Sequence, residues 1–291
     1  MKGPFVCEEH DGILVGPERS PLNAARDYGK GSIHDDSTAK ELGFRGGAIA
    51  GSLHLEQFPP VLIASLGAQW PLTGGLSLYF KSATIEGEPV RVSVERPAPG
   101  AARVKTWLRN RNGDVIAEGT AHTGGKDKES TLRTRLANLP AANELQMLAS
   151  VSTGTPTQRV VQRVPSHVLD ERLKVITEPL EAYVDEAAFG GRVLTPALQV
   201  HMLSQAAPLL VPDPSQLGVG LYGAIELQHL GQPVFADQDY EIEAEALALG
   251  ETPKTEFVYY ESRLFLPGKD KCLSSMILMN RFMKPAPQQQ S

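Results

Sequence analysis

The residues best suited to chemistry lie in one stretch, Gly31-Ser32-Ile33-His34-Asp35-Asp36, where a histidine stands beside two acids. Ala39 follows, and then Gly43-Phe44-Arg45-Gly46-Gly47-Ala48-Ile49-Ala50-Gly51-Ser52-Leu53, a glycine-rich turn that runs into an apolar segment. Histidine trades a proton near neutral pH because its ordinary pKa is about 6.5. The first N–H groups of a helix lack intrahelical partners and favour negative charge. A titratable base next to such a helix start suits acid/base work beside a carbonyl group.

Several elements must hold that stretch in place. Asp35 or Asp36 can cap a short helix over 36–42 that Gly43 ends, so both acids read as structural. Leu53, Leu55, Phe58, Leu62, Ile63 and Leu66 predict a nearly all-buried helix over 51–66. Pro59-Pro60 falls inside it and predicts a kink or break. Four strands follow: 76–80, the cleanly alternating 90–95, 102–111 and 114–122. Glu86-Gly87-Glu88 turns between the first two, and Asn112-Gly113 joins the last two, a strong hairpin signal. Residues 5–15 suggest a short hairpin around Asp11-Gly12.

The second half repeats this order. Residues 126–157 are charged and turn-forming and read as a linker, with a short helix expected at 141–148. A strand is expected over 159–168. Phe189-Gly190-Gly191-Arg192-Val193-Leu194-Thr195-Pro196-Ala197-Leu198 echoes the Phe44 to Leu53 stretch, with Thr195 and Pro196 as a good helix start. Strands are expected over 221–227, 240–248, 255–266 and 272–282, with Ala236-Asp237-Gln238 standing where Glu86-Gly87-Glu88 stood. One unit occurring twice, roughly 145–150 residues apart, predicts two copies that each bury a helix in their own sheet. The expected domains are 1–125, carrying the site, a linker at 126–157, and 158–291.

Composition narrows the function classes. The 291 residues are 41% hydrophobic and 21% charged, ordinary for a soluble globular chain. A formal net charge of −6 gives nucleic-acid binding no bulk electrostatic support. The two cysteines, Cys7 and Cys272, show no metal or redox spacing, so no metal is expected. No run reaches the roughly 18 apolar residues of a membrane span, and the first residues lack a leader's apolar core. A cytoplasmic protein without a membrane partner is expected. Gly46-Gly47 and Gly190-Gly191 lack the lysine and spacing of phosphate loops.

This unit resembles the hotdog fold, in which an antiparallel sheet wraps a central helix. The whole chain then reads as an α+β double hotdog with two antiparallel sheets. The first half resembles the MaoC-like, (R)-specific enoyl-CoA hydratase/dehydratase family. Ile33-His34-Asp35-Asp36, Ala39, Gly43-Phe44-Arg45-Gly46, Ile49, Gly51 and the Glu86-Gly87-Glu88 turn carry the resemblance. It implies a hydro-lyase that adds water to an enoyl thioester, or removes it from a 3-hydroxyacyl thioester, with no metal or redox cofactor; a related unsaturated carbonyl compound is the other expected substrate. The substrate would be a small molecule on CoA or a carrier protein, and the chain a monomer or homodimer. By position, His34 takes the histidine role and Gly51 the oxyanion role. The family has an aspartate five residues before its histidine, within Asp-x-Asn-Pro-x-His. Here that residue is Gly29, Gly31-Ser32 replaces Asn-Pro, and Ala50-Gly51 replaces the family's His-Gly. Asp27 is the nearest upstream acid and the expected partner of His34.

Tyr28, Arg45, Ala50 and His54 are the candidate substrate contacts, with Gln57 a further pocket polar. His201 and Gln205, one turn apart on the second helix, read as structural. The second half has no matching histidine loop and is expected to wall the acyl pocket. Two other readings stand beside the hydro-lyase. One is an acyl-CoA thioesterase, because double hotdogs also serve that chemistry and Phe189-Gly190-Gly191-Arg192-Val193 is similar to such helix starts. The other is a non-catalytic acyl- or ligand-binding protein, suggested by the missing Asp-x-Asn-Pro.

Overall fold

The computed structural model describes residues 5–24, 31–142 and 144–284. Asp27 and Tyr28 therefore lie outside the described residues. Among the described residues the chain forms eleven strands: β1 (Glu8–His10), β2 (Ile13–Val15), β3 (Gly75–Phe80), β4 (Val90–Glu95), β5 (Arg103–Asn110), β6 (Val115–His122), β7 (Val160–Gln162), β8 (Gly220–His229), β9 (Tyr240–Glu251), β10 (Thr255–Phe265) and β11 (Ser274–Met283). The β1–β2 hairpin turns at Asp11 and Gly12, both at positive φ, and Gly113 at φ 87° turns β5 into β6.

The helices are α1 (Asp36–Glu41), α2 (Gly51–His54), α3 (Pro59–Leu66), α4 (Trp70–Thr73), α5 (Thr131–Ala137), α6 (Ser166–Leu173) and α7 (Pro196–Leu203). The long helix expected over 51–66 breaks where the prolines require it. A 3-10 turn, Leu55–Gln57, follows α2, and the two prolines sit at the first positions of α3, where their missing N–H groups cost nothing. Leu55, Phe58, Val61 and Leu62 from this broken helix are fully buried against β3, β4 and β6 side chains.

The strands form one antiparallel sheet in the order β1-β2-β4-β5-β6-β3-β8-β11-β10-β9-β7. Two separate sheets were expected, and this is the main difference. The edge strands of the two units, β3 and β8, pair with each other from Gly75↔Gln228 to Tyr79↔Ala224. Pairing satisfies two rows of backbone groups that would otherwise stand open at an edge. The sheet order runs outward from this seam in matching steps, so the duplication is visible in the topology.

The duplication also holds in detail. Ala48 bridges Ile85 as Val193 bridges Phe235. The Ile49 N–H donates to Thr84 O at 2.8 Å, and the Leu194 N–H donates to Val234 O at 2.8 Å. Gly87 and Asp237 both take positive φ in the equivalent turns.

Two local expectations are corrected. The strand expected over 159–168 stops at Gln162, and the chain enters α6 after Pro165, which cannot donate to a strand ladder. The helix of the connecting segment lies at α5, not at 141–148. Ser130 caps α5 by accepting the Arg133 N–H at 3.3 Å. Leu132 then buries against Phe257, Tyr259, Ile277 and Met279 on the sheet's outer face. Arg133 reaches Glu226 and Glu261, each at 2.9 Å, and ties the segment to both β8 and β10.

Among the described residues, no helix is long and apolar enough to cross a membrane.

Candidate active site

The His34 loop is fixed from both sides. Asp35 caps α1, accepting the Thr38 N–H at 2.9 Å and the Thr38 hydroxyl at 3.0 Å. The Ser37 hydroxyl, the Thr38 N–H and the Thr38 hydroxyl together hold the Asp35 carboxyl at about 2. Asp36 accepts the Gly47 N–H at 2.6 Å and so pins the glycine turn back onto the loop. Both acids serve this scaffold, as expected. Asn23 adds a bond from its side-chain amide to His34 O at 2.9 Å.

The imidazole is oriented by the chain just ahead of α2. His34 Nδ1 donates to Ala48 O at 2.6 Å. That bond assigns the proton of the neutral ring to Nδ1 and the lone pair to Nε2, the form a general base needs. Burial lowers the His34 pKa, and the bond to Ala48 opposes this in part, so the neutral form prevails near pH 7.

His34 and the start of α2 line the same pocket, about 480 Å³ in volume. Ala50, half-extended at φ −60° and ψ 134°, is the residue ahead of α2, and Gly51 and Ser52 open the helix at the pocket wall. Gly51 is required there by packing. A Cβ on it would stand 2.8 Å from the Phe80 ring.

The pocket belongs to both halves. The first supplies His34, the α2 start and the end of β3 with the residues that follow it. The second supplies Arg172 on α6, Ala197, Val200 and His201 on α7, and 220–223 on β8. The second half thus walls the pocket, as the sequence suggests. Among the described residues, no aspartate or glutamate lines it.

The other candidates fall in distinct places. His54 is buried at this wall, with Nε2 2.7 Å from the Thr84 hydroxyl and Nδ1 accepting from the Gln57 amide at 3.3 Å. Burial pushes it down to about 4, so it stays neutral. Arg45 pairs with Glu88 at 2.9 Å and lines a smaller cleft on the other side of the His34 loop, not the pocket itself. His201, read from sequence as structural, lines the pocket, and burial and then Arg172 lower its pKa.

Sequence reasoning missed Glu56. It is almost fully buried, and its Oε1 accepts the Ala197 N–H at 3.0 Å, at the start of α7. Burial pushes its carboxyl up to about 7, while the Thr195 hydroxyl, Arg172 and the Ala197 N–H oppose that rise. The signal was present: Glu56 sits among Leu53, Leu55, Phe58, Val61 and Leu62, and an acid is the residue type least often buried without a partner.

The fold is that of a double hotdog protein, and the pocket lies between its halves. The solved structures it resembles include MaoC-like dehydratases. A MaoC domain protein dehydratase from Chloroflexus aurantiacus J-10-fl superimposes with a TM-score of 0.61 at 11% identity, covering 98% of this chain and 96% of that one. A Mycobacterium tuberculosis protein described as a double hotdog fold gives a TM-score of 0.57 at 12% identity over 97% of this chain and 96% of that one. A MaoC-like dehydratase gives 0.53 at 12% identity over 97% and 98%. No protein-family model and no curated protein matches the chain.

Proposed function

We propose that the protein is a hydro-lyase acting on an enoyl or 3-hydroxyacyl thioester. The observation that carries this reading is a neutral histidine, its proton assigned to Nδ1, lining one pocket with the opening residues of a helix. In the hydration direction, His34 Nε2 takes a proton from water as its oxygen bonds to Cβ of the substrate. The Cα–Cβ π pair moves toward the thioester, and negative charge develops on the carbonyl oxygen. The Gly51 N–H donates to that oxygen, where a preorganised donor is most effective. The proton held by His34 then returns to Cα, completing the addition of water, and dehydration reverses these steps.

Asp27 is the acid assigned to hold the water with His34. Two observations support looking upstream for it. Asp35 and Asp36 are committed to the scaffold, and no described acid lines the pocket. Ala50 and His54 shape the wall beside the thioester, and Tyr28, next to Asp27 in sequence, is assigned as a substrate contact. Arg45, which lines the neighbouring cleft, is assigned to the carrier end of the substrate, CoA or a carrier protein.

The test is His34→Ala, read on a panel of enoyl thioesters by loss of the enoyl absorbance. Turnover should fall about 10²- to 10⁴-fold, the usual contribution of a positioned base. The wild-type acid limb of kcat/KM should lie below histidine's ordinary pKa, because burial lowers it. Unchanged turnover in the variant would remove His34 from the mechanism. Release of free thiol with no change in the enoyl signal would make the protein a thioesterase.

A further inference from the structure

The pocket's charge is one-sided. Lys81, Arg172 and Arg281 line it with three histidines, and among the described residues no acid does. Lys81 is answered by Glu118 at 2.9 Å. Arg281 donates to the Tyr79 hydroxyl and stacks near its ring. Arg172 differs from both. Among the described residues its side chain makes no hydrogen bond and no ion pair; its Nε is buried without a partner, as is that of Arg281. Ten other arginines of the chain, among them Arg133, Arg159 and Arg263, do hold ion pairs.

Arg172 lies in the last turn of α6 and lines the pocket, within electrostatic reach of Glu56. That carboxyl is spent on the Ala197 N–H, and burial favours its protonated form. A guanidinium at a protein wall with neither partner nor full solvent is costly unless something supplies the missing acceptors. His201, on the next helix, lies within electrostatic reach of Arg172 and faces the same space.

We propose that Arg172, with His201 beside it, forms an anion subsite that holds a carboxylate on the acyl group of the substrate. The substrate class is then a monothioester of a dicarboxylic acid, not a plain fatty acyl thioester. This rests on the thioester reading above and names its substrate. Arginine's planar fork matches a carboxylate with two parallel N–H···O bonds, which supplies direction as well as charge. The alternative source of the same charge is a phosphate of the carrier. The buried Nε of Arg172 favours the acyl end, since a carrier's phosphates stay toward solvent.

The experiment is calorimetric titration of the full chain with saturated thioesters, which bind without turnover. Succinyl- and glutaryl-pantetheine are compared with butyryl-pantetheine, none of which carries a phosphate, and then with the corresponding CoA thioesters. The wild type should bind a dicarboxylic thioester about tenfold more tightly than butyryl-pantetheine, the effect of one charge-assisted pair. Arg172→Gln should erase that preference, and Arg172→Lys should retain part of it. The lysine variant and a melting curve separate a lost contact from a lost fold.

A preference absent from the pantetheine series, with Arg172→Gln weakening all CoA thioesters alike, would assign the anion to the carrier and overturn the proposal. Arg172→Gln leaving every affinity unchanged would also overturn it. Turnover of enoyl thioesters is measured separately. An intact dicarboxylate preference without turnover contradicts the hydro-lyase reading alone, and turnover without the preference contradicts the subsite alone.

Discussion

The two central helices begin alike and end up with different neighbours. The starts of α2 and α7 follow equivalent glycine turns and equivalent bridges to the sheet. At α2, Gly51 and Ser52 open onto the pocket beside His34. At α7, Pro196 occupies the first position and the Ala197 N–H is already taken by Glu56 from the other half. A helix start attracts negative charge wherever it stands. The first half leaves that attraction for a ligand, and the second fills it with a buried carboxyl. The residue standing in the repeat where Glu56 stands is His201, and it faces the open pocket instead of filling it. Duplication of a fold therefore does not imply duplication of a site. The distinction lies in what the partner half sends across.

The largest effect that would sharpen this comparison is steric. Gly51→Ala places a methyl against the Phe80 ring and shifts either the ring or the helix start. Displacement of a reacting group by about 1 Å costs roughly 10² in rate, so kcat/KM should fall about 100-fold. Pro196→Ala at the twin position should leave kcat/KM within about twofold. Similar losses in both variants would mean that the two helix starts are not functionally different.

A smaller effect concerns the filled start. The folded Glu56 carboxyl keeps its proton up to about pH 7, while the unfolded one loses it near 4.5. Folding then takes up a proton between those values, so this group's contribution to stability falls as pH rises from 4.5 to 7. The loss is on the order of 3 kcal/mol. Glu56→Gln keeps the shape but cannot ionise. The stability of the variant relative to wild type should therefore improve between pH 5 and pH 8, measured by chemical denaturation. A constant difference across that range would show that Glu56 does not titrate there.

Much of the architecture was legible because it is written in local patterns. The alternation of Val90 to Glu95, the Asn112-Gly113 turn and the Pro59-Pro60 break each fix a local geometry whatever surrounds them. The echo of the 44–53 stretch at 189–198 announced the duplication. Pairing of β3 with β8 was not legible. Edge partners are chosen by the assembled shape, and both strands would read the same if their units stood apart. At the site, His34 stood out beside its acids, Ala50 and Gly51 were singled out by the family resemblance, and all three line one pocket. Glu56, Arg172 and His201 were not recognised as site residues, because each acquires its role from the opposite half, more than a hundred residues away. An acid among the apolar positions Leu53, Leu55 and Phe58 marked Glu56, but nothing local said what it would meet.

The central claim is that the chain carries one open site, at the start of α2. Nuclear magnetic resonance of the amide-labelled protein, titrated with a saturated thioester such as butyryl-CoA, tests it directly. Binding should saturate at one equivalent, with the Gly51 and Ser52 amides shifting. Saturation at two equivalents, or a shift at Ala197 with Gly51 and Ser52 unchanged, would contradict the account.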